Sequence, residues 1–147
     1  MTKNVVIDDT KQEPSVIKIS DLINPHFRKL WLTKKPYVIA KGGRGSFKSS
    51  TISLKLVMMM KKQAQLGHKA NIACIRENTV NLRDSVYGQI VWAIDMLMMT
   101  DEFSYNVSPM RITHKSSGST FYFYGGDKPE KLKSNTIRDV IALWFNL

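Results

Sequence analysis

Tyr37-Val38-Ile39-Ala40-Lys41-Gly42-Gly43-Arg44-Gly45-Ser46-Phe47-Lys48-Ser49-Ser50 is the stretch whose reading decides the fold of this chain. Pro36 breaks the segment before it, and Tyr37–Ala40 then reads as a short apolar strand. A glycine-rich turn follows. From Lys48 to Leu66 the spacing is helical, with Ile52, Leu56, Met59 and Met60 on one face and Gly67 as the C-terminal stop. A strand, a glycine loop and a helix in that order make a phosphate-binding context, because backbone N–H groups and the positive helix end converge on one anion. Glycines let the backbone approach closely and take positive φ at little cost. In this reading Gly43, Gly45, Ser46, Phe47, Lys48, Ser49 and Ser50 surround a bound nucleotide. Lys48 would reach the β- and γ-phosphates, and the Ser49 hydroxyl would hold Mg²⁺.

The loop departs from the pattern G-x-x-x-x-G-K-[ST] at one place, where Phe47 stands in the position of the second fixed glycine. If that position needs a glycine-only backbone, the Cβ costs about 1–3 kcal/mol. The alternative is a plain glycine turn ahead of an ordinary helix start. Arg44 also has two readings: an exposed charge, or a cis-acting arginine finger that swings onto the γ-phosphate.

Working outward, Ile17–Leu32 reads as one or two short helices around Pro25. Ala70–Ile75 is a second buried strand, and Asn78 or Thr79 can cap a helix carrying Leu82, Val86, Ile90, Ala93 and Leu97 at three- to four-residue spacing. Met110–Lys115 and Ser119–Tyr124 alternate across Ser116-Ser117-Gly118 as a hairpin. Val140–Phe145 is a continuous apolar run, predicted to be a strand buried on both faces. The strand–helix alternation predicts an α/β domain with a largely parallel core sheet.

Composition narrows the function classes. The 147 residues suit one ordinary domain, and 43% hydrophobic against 23% charged residues is globular rather than disordered. A formal charge of +10, from 22 Lys+Arg against 12 Asp+Glu, favours polyanionic partners such as nucleotides or nucleic acid. No apolar run, Leu56–Met60 and Val140–Phe145 included, approaches the ~20 residues of a membrane span. No secretory signal opens the chain, so no membrane association is expected. Cys74 stands alone, which excludes an internal disulfide or a cysteine zinc cluster and points to a reducing compartment. His26, His68 and His114 are scattered without metal-ligand spacing, and Met58–Met60 with Met96, Met98 and Met99 read as flexible core filler. Lys128, Lys131 and Lys133 read as a solvated loop or a DNA contact.

Lys41–Ser50 resembles the Walker A segment of phage terminase large subunits. Three further segments point the same way and in the same order. Ile23-Asn24-Pro25-His26-Phe27 is similar to the family's entry segment. Ala73–Thr79 running into Leu82-Arg83-Asp84-Ser85-Val86 is similar to its following strand and helix. Gly125–Ser134 is similar to the loop before its Walker B strand. Together they cover about residues 17–145 and fit the PBSX-like branch best.

The resemblance implies a P-loop NTPase of the additional-strand, catalytic-glutamate class, a three-layer α/β sandwich with a mainly parallel sheet. Residues 1–16 would be a flexible leader and residues 17–147 part of that ATPase domain. It implies ATP and Mg²⁺ as cofactors, with Lys48 on phosphate, Ser49 on Mg²⁺ and Arg44 as the loop arginine that triggers hydrolysis. Phe27 and Trp31 would lie near the adenine or pack the core, and Arg76 would sense nucleotide, touch DNA or pair with a carboxylate. The implied partners are double-stranded phage DNA, the terminase small subunit, the portal protein of the procapsid and further copies of the chain on the portal, all in the bacterial host cytoplasm. Where the family places Walker B acids this chain has Asn146, an amide that cannot act as general base. The sequence ends one residue later, so the expectation is a portion truncated after Walker B, weak or inactive in hydrolysis and without the nuclease. It is also expected to be marginally stable or to rearrange its sheet, because the strand Tyr37–Ala40 would lack neighbours. Two other classes stay open: a non-enzymatic DNA-binding or interfering remnant, and a small P-loop nucleotide kinase.

Overall fold

The structure, a computed structural model, describes residues 17–134 and 137–146. The leader assigned to residues 1–16 lies outside them. The centre is β1 (Asn71–Arg76), whose Ile72 and Cys74 are fully buried. β1 pairs in parallel on one side with β4 (Thr120–Gly125) and on the other with β5 (Val140–Asn146). β4 continues antiparallel into β3 (Met110–His114) and then β2 (Phe103–Val107), so the order is β2-β3-β4-β1-β5. The expected hairpin is the β3–β4 pair. β2 was not read from the sequence: its alternation leaves only Phe103 buried, a weak signal for an outer strand.

Two helices cover one face. α3 (Lys48–Gln65) buries Thr51, Ser53, Leu54, Leu56, Val57 and Met60, and Gly67 ends it at φ 76°, where a Cβ would be disfavoured. α4 (Gly88–Met96) buries Ile90, Ala93 and Ile94 and is entered through a π turn over Arg83–Tyr87. These side chains share one core with Ile72, Cys74, Phe121, Phe123 and Trp144, which all project from the same sheet face. Met60 and Met99 are buried and Met59 and Met96 pack against the core, in line with the filler role. Burial also pushes the Cys74 thiol far above its ordinary range, which makes it inert as a nucleophile. Ahead of the loop, α1 (Ile19–Leu22), a 3-10 turn (Pro25–Phe27) and α2 (Arg28–Leu32) realise the short helices expected around Pro25.

Two expectations are corrected. Tyr37–Ala40 is not a strand: it pairs with nothing in the sheet, and Tyr37 and Ile39 are 91% and 87% exposed. An apolar run becomes a strand only where a neighbour accepts its hydrogen bonds, and that neighbour is a non-local matter. β5 is not buried on both faces either. It is an edge strand; Ala142 and Trp144 face the core while Leu143 and Phe145 are exposed, because α3 and α4 cover only the other face.

The parallel register rests on Asn71. Its buried side chain accepts from Thr120 N at 2.9 Å and donates to Arg138 O at 2.7 Å, while its own N–H donates to Asp139 O at 2.8 Å. Ala70 N donates to Ser119 Oγ at 2.9 Å beside it. One side chain thus ties the entrances of β1, β4 and β5. Asn71→Ala strands two backbone groups, and an unsatisfied buried group costs about 1–3 kcal/mol. The expected loss of stability is about 2–4 kcal/mol by urea unfolding; a loss below ~0.5 kcal/mol would remove Asn71 from this role.

Candidate phosphate-binding site

Gly42–Phe47 turns the chain into α3, and the turn is built from backbone. Ser46 N donates to Gly43 O at 3.3 Å, Gly45 sits at φ 76°, and Phe47 occupies the N-cap position at φ 61°, ψ 20°. The position where the motif calls for glycine therefore adopts the left-handed backbone that glycine takes freely, and Phe47 carries the strain. Its ring is 63% exposed, so packing does not offset that strain. Its carbonyl does hold the helix start, accepting Thr51 N at 3.0 Å and Thr51 Oγ1 at 3.1 Å.

No side chain caps α3, so the first N–H groups of the helix face outward as donors. Lys48 and Ser49 sit at the first two helical positions. The Lys48 ammonium lies 3.5 Å from Gly42 O, folded back over the mouth of the loop. Gly43, Gly45 and Arg44 are exposed, and Ser46, Ser49 and Ser50 are half-buried around the same turn. The structure thus brings together Gly43, Gly45, Ser46, Phe47, Lys48, Ser49 and Ser50. Arg44 stands at the exposed tip and makes no ion pair among the described residues.

Residues outside the motif hold the loop in place. Asn24 Nδ2 donates to Ser46 O at 3.4 Å. A Cβ on Gly42 would come within 2.6 Å of Ser46 Oγ and 3.3 Å of Phe27 Cζ, so the loop closes down on the buried Phe27 ring only because residue 42 has no side chain. Lys55 Nζ donates to Leu30 O at 2.9 Å and Thr33 O at 2.6 Å, tying the carbonyl end of α2 to α3. Partial burial lowers the Lys55 pKa. Sequence reading placed Asn24 and Gly42 in motif segments without giving either a role, and it passed over Lys55, whose partners Leu30 and Thr33 lie at the end of α2. Trp31 packs against the core, in line with the packing alternative for it. A cleft of about 530 Å³ opens beside Phe27, between α2 and the segment Tyr37–Lys41.

The parallel strands end together at Arg76, Gly125 and Asn146, the edge where open α/β sheets bind ligands. Asn146 pairs in register with Arg76, and among the described residues no hydrogen bond links its side chain to the loop. Arg76 pairs with no carboxylate among the described residues, so that alternative for it is not realised. The edge is locked by Asp127, whose Oδ1 accepts Thr79 Oγ1 at 2.6 Å and Thr79 N at 3.0 Å. A Cβ on Gly125 would overlap Thr79 Oγ1 and Asp127 Oδ1, which explains the glycine at 125. The Thr79 hydroxyl holds the Asp127 carboxyl below the usual carboxylate range. No cluster of three or more His, Cys, Asp or Glu occurs among the described residues; His114 is instead a buried side chain bonded to Ser117 Oγ at 2.8 Å. No helix there is long and apolar enough to cross a membrane.

Comparison with known proteins bears on this arrangement. A family profile for the phage terminase large subunit matches residues 34–146. The chain is 33% identical over 123 residues to the large subunit of the terminase of Bacillus phage SPP1. It is 32% identical over 124 residues to the PBSX phage terminase large subunit of Bacillus subtilis strain 168. These matches cover 80% and 84% of this chain but 28% and 27% of the two relatives, so the chain spans little more than a quarter of their length.

Phe47→Gly is expected to raise stability by about 1 kcal/mol in denaturant titration, because it releases a left-handed Cβ whose side chain is mostly in solvent; a loss would show that the ring packs in a way its exposure does not suggest. Thr79→Val removes the hydroxyl donor, and the Asp127 pKa is expected to rise toward ~3.9, read by NMR titration of its carboxyl carbon. Because folding depresses this pKa, the contact stabilises the fold above the unfolded value and is lost as pH falls through the folded value. An unchanged Asp127 titration in the variant would refute that assignment.

Proposed function

The chain belongs to the phage terminase large-subunit family, and from that premise we propose that it is the ATP-binding portion of a viral DNA-packaging motor. The observation that carries the reading is the start of α3. An uncapped helix N-terminus follows a glycine turn, with Lys48 folded over the turn and residue 47 in the left-handed backbone that the motif's glycine serves.

This loop fits a nucleoside triphosphate with Mg²⁺. The N–H groups of the loop and first turn would bind phosphate oxygens without moving, and the Lys48 ammonium would exchange its contact with Gly42 O for the β- and γ-phosphates. Ser49 would supply one oxygen to Mg²⁺, with phosphate oxygens and water as the remaining ligands, a set that suits a cation that keeps several waters. When bound, the metal neutralises charge between the phosphates. Arg44 has the reach and freedom of a loop-tip side chain to add a second cation at the γ-phosphate. The cleft beside Phe27 would take the nucleoside. Asn146 can accept a hydrogen bond but cannot take a proton, so no hydrolytic base is assigned to it.

By membership, the packaging substrate is double-stranded phage DNA. The partners are the terminase small subunit, the portal and further copies of the chain, acting in the host cytoplasm. A second reading is favoured by the +10 charge: a non-enzymatic nucleic-acid-binding protein acting through its basic surface.

A MgATP titration read by melting shift separates the two. Saturable stabilisation is expected for the wild-type chain, together with its loss in Lys48→Ala and its weakening in Ser49→Ala. At a ligand concentration 100 times Kd the shift corresponds to about 2.7 kcal/mol. Equal responses from wild type and Lys48→Ala would overturn the phosphate-loop reading, and duplex binding untouched by Lys48→Ala would then favour the second.

A further inference from the structure

Two uncovered stretches of this chain match each other. One is Tyr37-Val38-Ile39, with Tyr37 and Ile39 almost wholly in solvent and Val38 half exposed. None of the three makes a hydrogen bond or a ring contact among the described residues. The segment is fixed at both ends: Lys55 holds Thr33 ahead of it, and the loop after it closes on Phe27 at Gly42. Anchored in this way, it does not join its own sheet.

The other is the free edge of β5. One side of β5 pairs with β1, and no strand lies beside the opposite side. Edge strands are ordinarily blunted by charge, proline or cover. Val140–Asn146 contains no charged residue and no proline, and Leu143 and Phe145 are 58% and 61% exposed. Single exposed apolar side chains call for no explanation. Here, however, they line a strand edge whose outward N–H and C=O groups can accept another strand.

A second copy of the chain is the occupant that accounts for both stretches. Each copy carries one donor segment and one acceptor edge, so reciprocal exchange covers both on both copies and closes about a two-fold axis. An extended segment of some other protein would cover β5 and leave Tyr37–Ile39 in water. The flanking residues agree with antiparallel pairing: with Lys41 opposite Asp139, Ile39 lies beside Ile141 and Tyr37 beside Leu143. Apolar side chains then meet apolar ones, and opposite charges close the end of the pair.

We propose that two copies of this chain associate by strand exchange, the Tyr37–Ile39 segment of each adding antiparallel to the β5 edge of the other. This goes beyond the ATP-binding reading and does not rest on it.

The test is the oligomeric state of the full chain, read by light scattering across a dilution series. Wild type is expected at twice the chain mass, dissociating on dilution. An acceptor variant, Leu143→Lys/Phe145→Lys, and a donor variant, Tyr37→Lys/Ile39→Pro, are each expected to raise the dimer Kd at least about tenfold. Mixed one to one, they should dimerise again, because the intact donor of one meets the intact edge of the other; a dimer built on any other patch would not recover. Hydrogen exchange of wild type needs no variant: the Val38, Ile39 and Ala40 amides should gain protection as concentration rises. Lys48→Ala should dimerise as wild type does, so failure of the nucleotide reading and failure of this one are told apart. A wild-type monomer at every concentration, a mixture of folded variants that stays monomeric, or a dimer whose Val38–Ala40 amides exchange as freely as the monomer's would each overturn the proposal.

Discussion

Parallel strands have no hairpin to set their register, and in this fold the task falls to one buried amide. Asn71 reaches sideways from the entrance of β1, accepting from the first residue of β4 and donating to the chain just before β5. The bond from Thr120 is buried and the one to Arg138 is part-buried, so a slip on the β4 side would leave polar groups unpaired away from water. With the entrances tied, the C-terminal ends at Arg76, Gly125 and Asn146 fall side by side. The C-terminal edge of the sheet is therefore positioned from its opposite end.

The second organising element is α3, which serves the core and the candidate site through different parts of its length. Leu54, Val57 and Met60 lie fully buried against the sheet, so the helix cannot shift without opening the core. Its first turn points out of the protein with free N–H groups. Rigidity in the buried turns supplies preorganisation in the exposed one. Phe47 shows the tension between the two: its left-handed backbone is unfavourable for a residue with a Cβ, yet its carbonyl accepts the Thr51 N–H that opens the helix. Supports from Asn24, Phe27 and Lys55 overdetermine that geometry from three directions.

The two sheet faces differ in kind. One carries the shared core under α3 and α4, with Phe121, Phe123 and Trp144 turned inward. The other carries Tyr122, Tyr124, Leu143 and Phe145, which alternate with them along the same strands. A period of two makes this division automatic once register is set. It also turns an alternating aromatic strand such as β4 into a core element on one side and a row of stacked rings on the other.

Much of this was legible in the residues. The helical spacing from Lys48, the stop at Gly67, the hairpin around Gly118 and the glycine loop are local signals, and each corresponds to an element that forms. The residues of the candidate loop fall together because they are contiguous and the turn is built mainly from its own backbone. What the sequence alone did not determine depends on distant partners. Tyr37–Ala40 has strand composition but no neighbour to pair with, Val140–Phe145 has the composition of a doubly buried strand but lies at an edge, and Phe103–Val107 became a strand only through β3. The roles of Asn71, Asn24, Gly42 and Asp127 were equally silent, since each acts through a residue on another segment, more than twenty positions away for Asn24 and Asp127. Local chemistry decides which elements this chain can make. Only the tertiary structure decides which of them find the hydrogen-bond partners and the cover that strands and buried polar groups require.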